Sequence, residues 1–436
     1  MTLTDQFTDA LTGSALTAGT AGATADGTDG RTDGRTAGRG LSGGSRPVAA
    51  DGLPALQHLP VPPPLDLPYA PPGPTEEERT LMLRAFREVA TDPDRTVVLG
   101  RRTGELERRL RERARVAEVT ACGSGTGALI LALRTLGAGP GDEVIVPAFG
   151  AEPLASSVLA VGATPVFADV DPVTMVLDPA DTERRITPRT RVVVPAHTFQ
   201  SVADMPALVE LAARRGVSLL EDSAVAMGAS LHGSAAGSWG DIGLYSFFPV
   251  KPFGMVGEGA VLLTDDAELA AAVRRVRDHG QDPAEPGVHH ELGIDSRFDE
   301  VQAAYQLARL DTLDDRLAAR RAVVDHYEEA LAPLRSRGLL LPEQGPGISP
   351  CLYVYAVQHE RRDELAAHLA GHGVGTRVYY PLPLHRLPQF ARYAPAPHHL
   401  PGAEAASSRH LALPLHHHMT QSEAWQVTEA IRSFFA

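Results

Sequence analysis

Lysine is almost absent from this chain of 436 residues, in which lysine and arginine together number 40 and Lys251 is the only lysine. Arginine can replace lysine as a positive charge but not as a nucleophile, because its guanidinium stays protonated. A lysine amine that loses its proton can form a Schiff base with a carbonyl. Lys251 therefore indicates covalent amine chemistry, most economically with pyridoxal phosphate, unless it is an accidental survivor of a compositional bias.

Cysteine is also scarce, and long apolar stretches are missing. The two cysteines, Cys122 and Cys351, exclude a disulfide framework and favour a reducing cytoplasm. No run of about 18 apolar residues predicts a membrane span, and the N-terminus lacks the basic start and apolar block of a secretory signal. A net charge of −14 argues against nucleic acid or an anionic membrane as the main partner.

Three regions differ in composition along the chain. Residues 1–74 are rich in Gly, Thr and Ala and then in Pro, so we expect a disordered extension. Residues 75–300 open with a capping box of Thr75 and Glu78 and then alternate β-rich and helical segments. This predicts a large α/β domain with a mostly parallel sheet and flanking helices. Residues 301–436 predict a connector helix and a smaller C-terminal α+β domain.

The alternation in the large domain gives seven predicted strands and several helices. The predicted strands are 116–122, 143–146, 165–168, 191–194, 217–220, 243–247 and 259–263. The predicted helices are 75–90, 126–136, 153–161, 205–215 and 266–279, followed by the helical run 299–331 and a strand at 352–358 in the smaller domain.

Asp222 stands at the predicted C-terminal end of a strand, which is the edge where open α/β sheets bind ligands. A carboxylate at this place can keep a pyridinium nitrogen protonated, and a protonated ring is the electron sink that pyridoxal phosphate chemistry requires. Taken alone, an aspartate at a strand end is more often a helix cap or an ion-pair partner.

A glycine-rich turn at residues 123–127 links a predicted strand to a helix, and its N–H groups suit a phosphate. It also matches the Gly-x-Gly-x-x-Ala fingerprint of nicotinamide enzymes, which leaves a dinucleotide site as an alternative. That alternative requires an acidic residue closing the next strand, where the chain offers only Glu152. Ser246, five residues before Lys251, is a second group that could hold a phosphate.

From about residue 95 to 436 the chain resembles the DegT/StrS family of sugar aminotransferases, pyridoxal-phosphate enzymes of the aspartate-aminotransferase fold (fold type I). The stretches that carry the resemblance are 137–147, 162–172, 237–243, 296–304, 380–385 and 413–416. The resemblance implies that Lys251 forms the Schiff base and that Asp222 pairs with the pyridinium. It also implies that Gly125, Thr126 and Ser246 hold the cofactor phosphate.

The resemblance further implies a homodimer that moves an amino group from an amino acid, usually glutamate, to a keto group on a nucleotide-linked sugar or a cyclitol. Two alternatives stay open. The chain could catalyse another reaction on the same cofactor and fold, or it could be a non-catalytic partner subunit of another aminotransferase. A dehydratase branch of the family carries histidine in place of the lysine, and Lys251 argues against that branch.

Several positions depart from the family pattern. Val225 stands where the family has a glutamine that donates to the cofactor's O3′, and Ala151 stands where it has a ring-stacking aromatic residue. Met227 replaces a histidine, and Asp295 replaces an asparagine that reaches the phosphate in the partner subunit. These changes predict a weaker hold on the cofactor and are the reason for the non-catalytic alternative.

Two histidine clusters, at residues 289–290 and 416–418, suggest metal ligation at first sight. Adjacent side chains diverge on a strand or a helix, so neighbouring histidines are poor joint ligands. We therefore expect no metal site.

Overall fold

The computed structural model describes residues 67–70, 73–282, 284–394 and 399–436. The predicted disorder of residues 1–66 lies outside the described residues. The helices are α1 Glu76–Ala90, α2 Arg101–Ala114, α3 Gly125–Thr135, α4 Pro153–Ala160, α5 Pro179–Arg185, α6 Met205–Arg215, α7 Ala267–Arg277, α8 Glu300–Leu310, α9 Leu313–Leu331, α10 Arg362–Gly371, α11 Pro401–Arg409 and α12 Gln421–Phe434. The strands are β1 Glu118–Cys122, β2 Glu143–Pro147, β3 Thr164–Ala168, β4 Thr190–Val193, β5 Ser218–Asp222, β6 Ser230–Leu231, β7 Ser234–Ala235, β8 Ile242–Ser246, β9 Ala260–Thr264, β10 Ile348–Ser349, β11 Tyr355–Gln358 and β12 His410–Leu413.

The seven predicted strands form one sheet in the order β1-β9-β8-β5-β4-β2-β3. Strands β3, β2, β4, β5 and β8 pair in parallel, whereas β9 is antiparallel to both β8 and β1. The predicted mostly parallel seven-stranded α/β fold is confirmed, and each strand lies within two residues of its predicted bounds. Strands β2, β8 and β9 are buried along their whole length, as expected for a sheet that helices cover on both faces.

Parallel strands bring their carboxyl ends to one edge of the sheet, and the loops after β2, β4, β5 and β8 meet there.

The capping box predicted at Thr75 is also present: the Thr75 hydroxyl accepts from the Glu78 N–H, and the Glu78 carboxylate accepts from the Thr75 N–H. In the described part of the chain, no helix is both long and apolar enough to cross a membrane.

The helical run predicted over 299–331 consists of two helices, α8 and α9, with Asp311 and Thr312 between them. The Thr312 hydroxyl donates to the Arg309 carbonyl, a local bond that competes with helix continuation. After the second helix, β11 pairs antiparallel with β12. Strand β11 begins at Tyr355, three residues later than predicted.

The predicted disorder of the N-terminal extension does not hold for residues 67–70, which we call the N-terminal strap. The Leu67 N–H donates to the Gly373 carbonyl at 3.0 Å, and the Gly375 N–H donates to the Leu67 carbonyl at 2.9 Å. Leu67 is buried. A Cβ atom on Gly375 would lie 2.5 Å from the Tyr69 nitrogen, so the strap requires glycine at that position. Two backbone bonds and one buried side chain hold the strap on the chain after α10.

Helix α2 begins without a side-chain cap of its own, and a distant carboxylate supplies one. Glu300, buried at the start of α8, accepts from the N–H groups of Gly100, Arg102 and Thr103 at 2.8–3.0 Å. It also accepts from the Thr103 hydroxyl. One side chain therefore satisfies the N–H groups that a helix start leaves unpaired and joins α2 to α8.

We expect Glu300→Ala to lower the free energy of unfolding by about 2–3 kcal/mol, because it leaves several buried donors without an acceptor. Urea unfolding followed by circular dichroism measures the change. Glu105→Ala removes an exposed carboxylate from the same helix α2 and should leave the midpoint unchanged within error. Equal midpoints for the two variants would show that Glu300 does not hold the helix start.

Candidate active site

Lys251 lies in a tight turn after β8, at the sheet edge where the carboxyl ends of the parallel strands meet. Its N–H donates to the Phe248 carbonyl, and its carbonyl accepts from the Gly254 N–H, so two backbone bonds fix the turn. The side chain is half-buried, and Nζ lies 4.8 Å from the centre of the Tyr353 ring. Burial lowers the pKa of the amine, while Asp222 and Glu258 act in the opposite direction.

Asp222 is the last residue of β5, next to β8 in the sheet, and its side chain is buried. Its carboxylate accepts from the Ala224 N–H at 2.9 Å. Burial raises its pKa, and the Ala224 N–H, Lys251 and His197 oppose that rise. Asp222 and Lys251, both predicted from sequence, are therefore brought close enough for each charge to influence the pKa of the other.

A buried carboxylate, Glu221, fixes the strand end that carries Asp222. It accepts from the N–H groups of Gly237 and Trp239 at 2.6 and 2.7 Å and from His197 Nε2 at 2.8 Å. His197 Nδ1 accepts from a backbone N–H, so Nε2 carries the proton and donates it. Burial alone would raise the pKa of Glu221, but the His197 and backbone bonds outweigh it and lower that pKa.

The sequence reasoning did not identify Glu221 or His197 as part of the site. The only signal was position, because Glu221 precedes Asp222 directly and His197 follows β4 at the same sheet edge. His197 also donates its own N–H to the Asp222 carbonyl at 3.0 Å. The pair therefore ties the end of β5, which carries Asp222, to the segment that follows β4.

The predicted phosphate-binding residues converge at the start of α3. Ser124 caps the helix by accepting from the Gly127 N–H, which leaves the N–H groups of Gly125 and Thr126 without partners inside the helix. A Cβ atom on Gly125 would lie 3.1 Å from Ser246 Oγ, so this hydroxyl at the end of β8 borders the same space. A helix N-terminus with an adjacent hydroxyl is suited to a phosphate.

The dinucleotide alternative fails on the position of β1. A Rossmann fingerprint joins a strand of a parallel sheet to its crossover helix. Strand β1 lies at the edge of the sheet, and its one neighbour there, β9, runs antiparallel to it. The glycine-rich turn before α3 is therefore not at the switch point of a parallel sheet.

The structure shows the surroundings of the four residues that depart from the family pattern. Val225 and Met227 are buried among apolar side chains and offer no hydrogen-bond donor, and Ala151 is partly buried after β2. Asp295 forms an ion pair with Arg297, with 2.7 Å between Nη2 and Oδ2, and this pairing lowers the Asp295 pKa. The charge of Asp295 is therefore balanced within the chain.

Four tyrosines form a connected group, one of which, Tyr353, lies beside Lys251, and the sequence assigned none of them a role. We call Tyr69, Tyr353, Tyr379 and Tyr380 the tyrosine cluster. The Tyr379 ring centre lies 6.0 Å from Tyr69, 6.5 Å from Tyr353 and 6.0 Å from Tyr380. Burial raises the pKa values of Tyr69, Tyr353 and Tyr380, and the neighbouring Tyr379 raises them further.

The His416–His418 run takes part in one group with metal-ligand chemistry, which the sequence analysis did not foresee. Ligand atoms of Glu78, His417 and His418 lie within 4.8 Å of one another. The Glu78 carboxylate is already paired with Arg309 at 2.6 Å and with Arg316 at 3.4 Å. Because two guanidinium groups share the carboxylate, the site disfavours a cation, and we assign no metal to it.

Comparisons with known proteins identify relatives of this chain. The chain is 39% identical to the UDP-N-acetyl-3-dehydro-alpha-D-glucosamine 3-aminotransferase of Acidithiobacillus ferrooxidans, over 78% of this chain and 90% of that protein. It is 40% identical to the dTDP-3-amino-3,4,6-trideoxy-alpha-D-glucose transaminase of Streptomyces venezuelae, over 71% of this chain and 81% of that protein. The solved structure of NtdA from Bacillus subtilis with bound cofactor PMP matches with a TM-score of 0.76 and 30% identity, over 82% of each chain.

The model of one family matches most of the sequence, residues 77–432. That match and the two relatives confirm the resemblance that the sequence motifs indicated. The chain belongs to the DegT/DnrJ/EryC1/StrS aminotransferase family.

Proposed function

We propose that this chain moves an amino group from an amino acid to the keto group of a nucleotide-linked sugar, with Lys251 and Asp222 as its catalytic residues. The observation that carries the proposal is the joint position of Lys251, Asp222 and the phosphate-binding turn at one edge of the sheet. We further propose a cytoplasmic homodimer in which residues 75–300 form the cofactor domain and residues 301–436 the smaller domain.

The cofactor is pyridoxal 5′-phosphate, and the residues at the sheet edge fit it. Gly125, Thr126 and Ser246 would hold its phosphate, because free N–H groups and a hydroxyl border one space. Asp222 would pair with the ring nitrogen and Lys251 with the aldehyde carbon. When bound, the cofactor supplies an electron sink for the pair of electrons left at the donor's Cα.

The two catalytic side chains have separate tasks in this proposal. Burial lowers the pKa of Lys251, which eases the loss of a proton from its amine, and the neutral amine would accept a proton from the donor's Cα. The Asp222 carboxylate holds a proton at the ring nitrogen. The bonds from Glu221 and His197 keep the Asp222 backbone in place while it does so.

The proposed acceptor is inferred from the relatives, whose names specify sugars linked to UDP and to dTDP.

Two half-reactions test the function. Adding glutamate or another amino acid to the holoenzyme should shift the visible absorbance of the cofactor, and a keto sugar nucleotide should then restore it. If no amino acid shifts the absorbance, transamination is contradicted for this chain.

We expect Val225→Gln to tighten cofactor binding by about fivefold, because a donor regained at this position is worth roughly 1 kcal/mol. The measurement is a fluorescence titration of the cofactor-free protein with pyridoxal 5′-phosphate. Val209→Gln, on helix α6, makes the same change away from the site and should leave the affinity unchanged. Weaker binding by Val225→Gln would show that the pocket is shaped around valine.

A further inference from the structure

The tyrosine cluster is assembled from three segments that are distant in sequence. Tyr69 belongs to the N-terminal strap, Tyr353 precedes β11, and Tyr379 and Tyr380 follow α10. The contacts begin at Lys251, whose Nζ faces the Tyr353 ring, and continue through Tyr379 to Tyr69. A wall of phenol rings therefore leads from the catalytic amine to the strap.

Arg377 stands at the strap end of this wall. Its Cζ lies 5.9 Å from the centre of the Tyr69 ring. Among the described residues, no carboxylate forms an ion pair with Arg377 and no side chain or carbonyl accepts from its guanidinium. The neighbouring Arg320 differs, because its guanidinium donates to the carbonyls of Leu352, Tyr353 and Leu415. The positive charge of Arg377 is thus available to a ligand.

The polarity along the wall changes from one end to the other. At the lysine end, Asp222 is near enough to Tyr380 to contribute to the rise in its pKa. At the strap end, Arg377 acts on Tyr69 with a positive charge. Burial raises the pKa values of Tyr69, Tyr353 and Tyr380, which favours the protonated hydroxyl that donates a hydrogen bond. Donor hydroxyls with an unpaired guanidinium are the groups that bind phosphate oxygens.

We propose that Arg377 and Tyr69 bind the diphosphate of the keto sugar nucleotide, and that the rest of the tyrosine cluster lines the path of the sugar to Lys251. The assignment rests on the proposed function. The α-carboxylate of an amino acid is bonded to the reacting carbon and must lie near Lys251. Arg377 is separated from Lys251 by the rings of Tyr353, Tyr379 and Tyr69, which suits an anionic group several bonds from the keto carbon.

The test is equilibrium binding of UDP, dTDP and GDP to the holoenzyme, measured by titration calorimetry. We expect at least one of them to bind and Arg377→Gln to weaken that binding roughly 10- to 100-fold. Tyr69→Phe should weaken it by a smaller factor. Arg392→Gln is the matched control, since Arg392 also stacks on a tyrosine, Tyr393, outside the cluster. The proposal is overturned if none of the three binds the unaltered holoenzyme, or if Arg377→Gln binds as tightly.

The amino-donor half-reaction separates this proposal from the proposed function. Arg377→Gln should keep the glutamate-driven absorbance change with an unaltered dependence on glutamate concentration. A raised requirement for glutamate would assign Arg377 to the donor carboxylate and overturn the diphosphate proposal. Failure of every amino donor with the unaltered protein would contradict transamination, whereas the nucleotide titration would still report on Arg377. Matching melting curves exclude unfolding of the variant.

Discussion

Lys251→Arg should abolish covalent attachment of the cofactor and lower turnover by at least about 10²–10⁴-fold, since the side chain that moves the proton is lost. Arginine keeps the positive charge beside Asp222 but cannot form a Schiff base. Borohydride reduction followed by mass spectrometry measures the attachment. The unaltered chain should gain one pyridoxyl phosphate, and the variant should gain none.

Because the chain has no other lysine, the experiment has an unusually direct control. Arg84→Lys, made in the Lys251→Arg background, returns one amine to the exposed face of α1. The double variant should still lack covalently attached cofactor and should keep the low turnover of Lys251→Arg. If the cofactor still becomes attached to the Lys251→Arg protein, or becomes attached again in the double variant, the amine at position 251 is not specifically required for attachment.

Asp222→Ala should reduce turnover by about 10³-fold or more while it weakens cofactor binding much less. Without the carboxylate the ring nitrogen loses its proton, and the electrons left at the donor's Cα are poorly stabilised. Asp222→Asn sharpens the test, because the amide oxygen can still accept from the Ala224 N–H but carries no charge. Both variants should lose activity in steady-state kinetics.

The alternative for Asp222 is a purely structural cap of the turn after β5. In that case Asp222→Asn would turn over at a near-normal rate, and only Asp222→Ala would be impaired. The absorbance spectrum of the bound cofactor adds a second readout, because protonation of the ring nitrogen changes it. If the spectra of both variants match that of the unaltered enzyme, Asp222 does not pair with the ring nitrogen.

Local sequence patterns were enough to predict most strands of the sheet and the site residues that lie at strand ends. The buried strands appear as short apolar runs. Asp222 is the last residue of β5, Ser246 is the last residue of β8, and Lys251 follows β8 at the same carboxyl edge. Their convergence follows from parallel pairing. The residue pattern also indicated the Thr75 capping box, because both members lie three residues apart.

The features that the sequence did not reveal depend on contacts between distant segments. Tyr69 reaches Tyr379 only because the strap bonds to Gly373 and Gly375, and nothing local to residue 69 predicts that pairing. Glu300 caps a helix that begins two hundred residues earlier in the chain. The antiparallel direction of β9 likewise depends on its place between two strands, which its own apolar sequence does not encode.

The position of β9 has a consequence for folding during synthesis. Strand β1 has β9 as its sheet neighbour, through pairs such as Cys122 with Ala260. Helix α2 receives its cap from Glu300. At about 5–20 residues per second, the ribosome releases α2 and β1 long before these partners emerge. Both elements therefore lack these partners while the parallel strands form, and a pause in translation before residue 300 would prolong their exposure to chaperones and proteases.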